Sequence, residues 1–254
     1  MSWSHAVLLL AAGILGGLTG SIAGLASVAT YPALLLAGLP PVTANVTNTV
    51  ALVFTSVGSI WGSRPELVGQ RRLLTRIVPF AAMGGVVGAA LLLSTPAEGF
   101  EKIVPVLLGF AAVAILIPVR PTRGARVADH RRHMATLTLQ GLAVFAICIY
   151  GGYFGAAAGV LLLALFLRMS GTLLPQANAR KNVVLGVANG IAAVIFAVAA
   201  PVQWAAVAVL GLGCLVGGRL GPIMVRHTPD KPLRVAIGLA GLALAVRLGV
   251  DAYH

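Results

Sequence analysis

Along the chain, long apolar runs alternate with short polar, glycine-rich or basic segments. Two of those runs, residues 6–38 and 134–167, carry no charge at all. As single α-helices each would be ~50 Å long, against a hydrocarbon core of ~30 Å. Two full spans with a turn would need more than ~40 residues. Glycines run through the middle of both: Gly13, Gly16, Gly17, Gly20 and Gly24 in the first, Gly151, Gly152, Gly155 and Gly159 in the second. The pattern predicts a broken or re-entrant helix in each run, its irregular backbone covered by protein or by a water-filled cavity. Further apolar runs follow at 42–63, 73–95 and 103–119, and again at 176–200, 202–225 and 233–250.

The chain therefore reads as a first repeat over residues 1–119, a basic cytoplasmic loop over 120–133 (RPTRGARVADHRRH) and a second repeat over 134–254. Each repeat is one broken helix followed by three transmembrane helices, in a single transmembrane domain. One constant shift in numbering superposes Ala44-Asn45 on Ala177-Asn178, Gly38 on Gly171 and Leu52 on Leu185. The same shift superposes Gly84-Gly85 on Gly217-Gly218 and Gly88 on Gly221. A single offset for both an asparagine pair and a GGxxG pair is the mark of an internal repeat.

Composition fixes the class. Hydrophobic residues make up 59% of the chain and charged residues 9%, which leaves no polar stretch long enough for a soluble domain. The fold class is all-α, a polytopic integral membrane protein. The formal charge of +12 would suggest nucleic acid in a soluble protein, but here it sits in short loops, where it sets orientation. If the broken helices crossed fully, the 18 Lys and Arg would divide almost evenly between the two sides. If each returns to its side of origin, all but Lys102 and Arg247 fall on one side, which is then cytoplasmic. The second arrangement makes the repeats inverted, the architecture of alternating-access carriers. Cys148 and Cys214 lie in apolar segments and read as small core residues. The residues before Ala6 include no Lys or Arg, so no cleavable signal peptide is expected.

Candidate chemistry concentrates just after each broken segment. Asn45, Asn48 and Thr49 are three and four residues apart and share one helix face, which Ser56 continues. Asn178, Asn182 and Asn189 match Asn45, Thr49 and Ser56 position for position, and Lys181 lies on the face of Asn178. Amides offer donors and acceptors, Lys181 offers charge, and helix N-termini facing a cavity suit an anion. The same asparagines would also serve as helix caps or as hydrogen bonds between helices. All six acidic residues fall in loops or near the ends of runs, so no mid-membrane carboxylate is available as a proton relay. A coupling ion, H+ or Na+, would have to use Lys181, the substrate itself or backbone carbonyls. No metal, cofactor or nucleophile motif is present, and an enzyme is not expected.

These residues also carry a resemblance. Tyr31-Pro32-Ala33-Leu34, GLPPVTANVTNTVAL over 38–52, Trp61-Gly62 and Arg64-Pro65-Glu66-Leu67 mark the first half. YGGYFGAAAGVLLLAL over 150–165, NARKN over 178–182 and GGRLGP over 217–222 mark the second. With these segments the chain resembles the sulfite exporter TauE/SafE family, the toluene sulfonate uptake permeases, over nearly its whole length. The resemblance implies a secondary carrier for sulfur-containing anions such as sulfite, sulfonates or sulfoacetate-like organic acids. The expected partners are a small anionic substrate and the lipid bilayer of the cell membrane, with no nucleic acid. The residues expected to bind substrate are Asn45, Asn48, Thr49, Asn178, Lys181 and Asn182, with Tyr31, Ser27 and Tyr153 beside the breaks. A passive anion channel would share every one of these features. Substrate, direction, coupling and oligomeric state are not written in the sequence.

Overall fold

Both long uncharged runs break among their glycines. A computed structural model describes residues 3–100, 102–103, 106, 130–156, 158–168 and 173–225, with single positions 239, 242, 246 and 250. Helix α1 (Trp3–Ala23) stops at Gly24, and α2 (Ala26–Leu36) follows. Then come α3 (Pro41–Gly62), the single turn α4 (Arg64–Leu67) and α5 (Arg71–Ser94). In the second half α6 (His130–Tyr153) ends at another break before α7 (Ala158–Arg168), followed by α8 (Leu174–Ala199) and α9 (Trp204–Val225). The expected spans at 103–119 and 233–250, and residues 120–129 of the basic loop, lie outside the described residues apart from isolated positions. Residues 130–133, expected as loop, already belong to α6.

The breaks reverse the chain. Gly24 has φ +81° and Gly155 φ +74°, the left-handed conformation in which helices commonly end and which side chains resist. After Gly24, α2 doubles back on α1: a Cβ on Gly20 would collide with Ala26, and one on Gly16 with Thr30. In a straight helix Gly16 and Thr30 would be ~21 Å apart. At 21 residues α1 is long and apolar enough to cross a bilayer, as are α5, α8 and α9. The first broken segment thus goes out along α1 and returns along α2 and residues 37–40.

Glycines then set the helix directions by letting backbones touch. Gly13 meets Leu210 and Cys214, Gly17 meets Gly218, and Gly221 meets Ser21, so α1 and α9 run side by side in the same direction. Gly58 meets Leu215 and Arg219, and Gly62 meets Arg219 and Pro222, so α3 runs with them. On the other side Gly84 meets Phe145 and Cys148, and Gly88 meets Ile149 and Gly152, which makes α5 and α6 parallel. α8 opposes α3, since Asn182 reaches Ser63 while Gly186 meets Ser56. α3 therefore ends where α5 and α8 begin. Arg64, Arg71, Arg72, Arg180 and Arg219 gather at that end, which the positive-inside rule predicts to be the cytoplasmic one. There the Arg219 guanidinium lies over the Trp61 ring at 4.1 Å, and Arg180 Nε donates to Gln70 Oε1 at 2.8 Å.

The core is mostly apolar, yet a group of polar side chains is buried within it, and large apolar side chains face outward. Leu15, Val87, Leu91, Val194 and Val198 are exposed, as lipid requires, while Asn45, Asn48, Asn178, Lys181 and Asn182 are buried. Packing on bare glycine predicts a sharp contrast. Gly217→Leu would drive a side chain into the α1 backbone at Ile14, and should lower stability by about 1–3 kcal/mol in a detergent melting assay. Gly190→Ala meets nothing within 4 Å and should be neutral or stabilising by up to ~1 kcal/mol. Topology is tested by single thiols, because native Cys148 and Cys214 are both buried. A membrane-impermeant reagent should label Glu66→Cys from the cytoplasmic side only and Gln203→Cys from the opposite side only.

Candidate functional site

The two breaks meet. Gly24, at the end of α1, abuts Gly159, in the first turn of α7, so closely that a Cβ on either would fall on the other's backbone. Beside this contact lies a cavity of about 20 Å³, room for one or two waters. Its wall is contributed by both halves in matched pairs. Thr49 and Asn182, Leu52 and Leu185, and Ser56 and Asn189 are each related by the constant shift between the halves, and all line it. Gly20 and Gly24 face it from the first break, and Gly151, Phe154 and Gly155 from the second. Ala26 and Ser27, the first residues of α2, also line it, and no side chain caps that helix start. The wall is therefore hydroxyl, amide, apolar surface and a helix N-terminus, with no carboxylate among the lining residues.

The residues expected to bind substrate divide into two sets. Ser27, Thr49 and Asn182 line the cavity. The Thr49 hydroxyl donates to the Asn45 carbonyl at 3.0 Å, and Asn182 Nδ2 makes a long contact of 3.5 Å with Ser63 Oγ. The others are not among the lining residues, and of these Asn45, Asn48 and Lys181 tie the breaks to neighbouring helices. Asn48 Nδ2 donates to Ser27 Oγ at 3.0 Å, and its Oδ1 accepts from the Thr30 hydroxyl at 2.5 Å, fixing the start of α2 to α3. Asn45 Nδ2 donates to the Tyr153 carbonyl at 2.9 Å, tying α3 to the last residue of α6. Lys181 is fully buried, and its Nζ donates to the carbonyls of Gly20 and Ser21, 3.0 Å each, in the last turn of α1. A cation is well placed there, since the dipole is negative at that helix end and the Gly20 carbonyl, which also accepts from the Gly24 N–H at 2.8 Å, has a second lone pair to offer. Asn178 is buried with its Oδ1 unpartnered among the described residues.

The aromatic candidates build a wall rather than a contact. Tyr31 stacks edge-on against Phe154 with centroids 5.4 Å apart, and Phe100 packs on both Phe154 and Tyr153. Of this cluster only Phe154 reaches the cavity. Sequence reasoning left out Thr55 and Ser59, which line the cavity. Their signal was available: they extend the Asn45, Asn48, Thr49 face along α3 at spacings of three and four. Among the described residues no cluster of His, Cys, Asp and Glu could hold a metal ion.

Comparison with known proteins identifies the family. Residues 8–248 match the sulfite exporter TauE/SafE family. The chain is 30% identical over 250 residues to the probable membrane transporter protein ORF9 of a Sinorhizobium species, covering 97% of this chain and 93% of that one. It is 27% identical over 241 residues to the probable membrane transporter protein YfcA of Escherichia coli K12, covering 94% and 88%. A probable membrane transporter protein of Haemophilus influenzae is 24% identical over 246 residues, covering 96% and 94%. With the family matched over nearly its whole length and four helices able to span a bilayer, the chain is a multi-pass membrane protein belonging to the sulfite exporter TauE/SafE family.

Proposed function

We propose that this protein is a secondary carrier for a small sulfur-containing anion, built from two inverted repeats and binding its substrate between them. Membership of a transporter family gives the coarse function. One observation supports the finer reading: a cavity at the meeting point of the two breaks, lined by Thr49 and Ser56 from one half and by Asn182 and Asn189 from the other. The amides of Asn182 and Asn189, with the N-terminus of α2, suit the oxygens of sulfite or a sulfonate, and the Thr49 and Ser56 hydroxyls join them by turning from the Asn45 and Leu52 carbonyls. Lys181 brings positive charge to the carbonyl of Gly20, itself a lining residue, without lining the cavity. In this reading Ser27, Thr49 and Asn182 touch the anion, while Asn45, Asn48, Asn178, Lys181, Tyr31 and Tyr153 shape the site around it.

Size favours a carrier over a passive channel. At about 20 Å³ the cavity has room for one or two waters, less than a sulfur oxyanion occupies, which supports a site whose walls move on binding. The wall-forming breaks are the natural moving parts, since each joins a short helix to a long one through a few residues.

A melting screen of the purified protein against sulfite, sulfate, thiosulfate, taurine, sulfoacetate and matched carboxylates tests the proposal. A selective sulfur anion should raise the melting temperature in proportion to RT ln(1 + [L]/Kd). Thr49→Ala and Asn182→Ala should each weaken that anion by roughly tenfold, about 1.4 kcal/mol, with little change in melting without ligand. A screen in which carboxylates stabilise as well as sulfur anions would reject the substrate class. Uptake into liposomes separates carrier from channel: counterflow of labelled anion and saturation are expected, and flux that is linear in concentration without counterflow would reject the carrier.

A further inference from the structure

Three consecutive residues of α8 tie that helix to three separate parts of the chain. Arg180 Nε donates to Gln70 Oε1 at 2.8 Å, just before α5. Lys181 Nζ donates to the Gly20 and Ser21 carbonyls at the end of α1, 3.0 Å each. Asn182 Nδ2 contacts Ser63 Oγ at 3.5 Å, just after α3. Successive side chains leave a helix about 100° apart, which is how so short a stretch reaches in three directions. All three ties lie at the basic end of the molecule, where α3 ends, α5 and α8 begin, and Ser21 meets Gly221 of α9. Ser59 and Asn182 line the cavity, whereas Ser63 and Asn178, one turn nearer the basic end, are not among its lining residues. The ties therefore close the cavity towards that end.

The opposite end is tied by neutral groups. Asn45 Nδ2 donates to the Tyr153 carbonyl at 2.9 Å, and the Gln203 N–H donates to the Thr47 hydroxyl at 3.0 Å. The shift that relates Asn45 to Asn178 also relates Gly20 to Tyr153, so these carbonyls are counterparts, one held by an ammonium and the other by an amide. An anion beside Gly20 attracts an ammonium as it would not attract an amide, so the basic end is where substrate charge can loosen a tie. A buried ammonium leaves its acceptors only for others, because a bare charge in apolar surroundings is very costly. Another acceptor is in place. Asn178, three residues before Lys181 on the same face of α8, is buried, and its Oδ1 has no hydrogen-bond partner among the described residues. We propose that Lys181 is the switch of a gate at the basic end. Seated on Gly20 and Ser21 it holds α1 to α8 and shuts the cavity; seated on Asn178 it releases α1 and opens it. Lys181 is thus a positioning residue for transport, acting through the end of α1. The inference rests on the carrier reading and deepens it by naming the device that exposes the site to one side.

The test places a thiol behind the gate, at the lining position Ser59→Cys, in the full chain in membrane vesicles of either orientation. Its reaction with a membrane-impermeant reagent is timed with no sulfur anion present. Lys181→Met should speed labelling by about tenfold from the side on which Glu66→Cys reacts, and leave the other side unchanged. Gln70→Leu, which removes only the Arg180 tie, should speed it from that side by about threefold. Asn178→Leu, which removes the second seat, should slow it. Loss of fold would speed labelling from both sides and could not give opposite signs at two neighbouring buried positions. Should Lys181→Met fail to fold, Gln70→Leu and Asn178→Leu still decide. Equal labelling in all variants, faster labelling from both sides, or faster labelling in Asn178→Leu would overturn the proposal. Without a sulfur anion the labelling is independent of the tests of the carrier. Unchanged labelling beside a selective anion would reject the gate alone, and side-specific labelling beside linear flux would reject the carrier alone.

Discussion

Backbone that leaves the helix inside a bilayer must find its hydrogen bonds from protein, and two such places govern this structure. An unpaired peptide group in hydrocarbon costs several kcal/mol. At Gly24 and at residues 154–156 the chain gives up helical pairing and reverses. Side chains of α3 and α8 bond to its carbonyls, Asn45 at the end of α6 and Lys181 at the end of α1, while Asn48 ties down the Ser27 and Thr30 hydroxyls at the start of α2. The polar residues therefore secure the breaks first, and the cavity is what remains between them.

This requirement explains why glycine recurs where the helices cross. A break can be covered by another break only if their backbones approach closely, and Gly24 against Gly159 achieves that by omitting both side chains. The same device along α1 and α9, and along α5 and α6, brings helices near enough for dispersion to replace a hydrophobic driving force that lipid does not supply. The lipid-facing flanks of the helices can then carry large apolar side chains, while a group of Asn, Ser, Thr and Lys side chains is sequestered at the centre.

Much of this was legible in the sequence. The length of the uncharged runs gave the breaks, and the constant shift between the halves aligned the residues that line the cavity. Identical spacing on α3 and α8 puts Thr49, Ser56, Asn182 and Asn189 on inward faces. The partners were not legible. Nothing near Lys181 in sequence identifies carbonyls in the far half of the chain, so its charge read as a substrate ligand rather than a clasp on α1. Tyr31 and Tyr153 likewise flank the breaks in sequence, yet their rings go to an aromatic cluster that only the folded chain assembles. Helix α3 reads as a span from its length, but its amides and hydroxyls keep it off the set of helices apolar enough to cross.

That last property bears on how the protein is made. A segment as polar as α3 partitions poorly into lipid when it emerges alone. Its main companions in the finished fold are α8 and α9, which leave the ribosome only in the second half of synthesis. The amino-terminal half must therefore wait, with a polar face unsheltered, until the carboxyl-terminal half arrives to close around it. Chains that stall before residue 204 would present that face to the quality-control proteases of the membrane, so abundance in the cell depends on late, long-range assembly as much as on the stability of the completed fold.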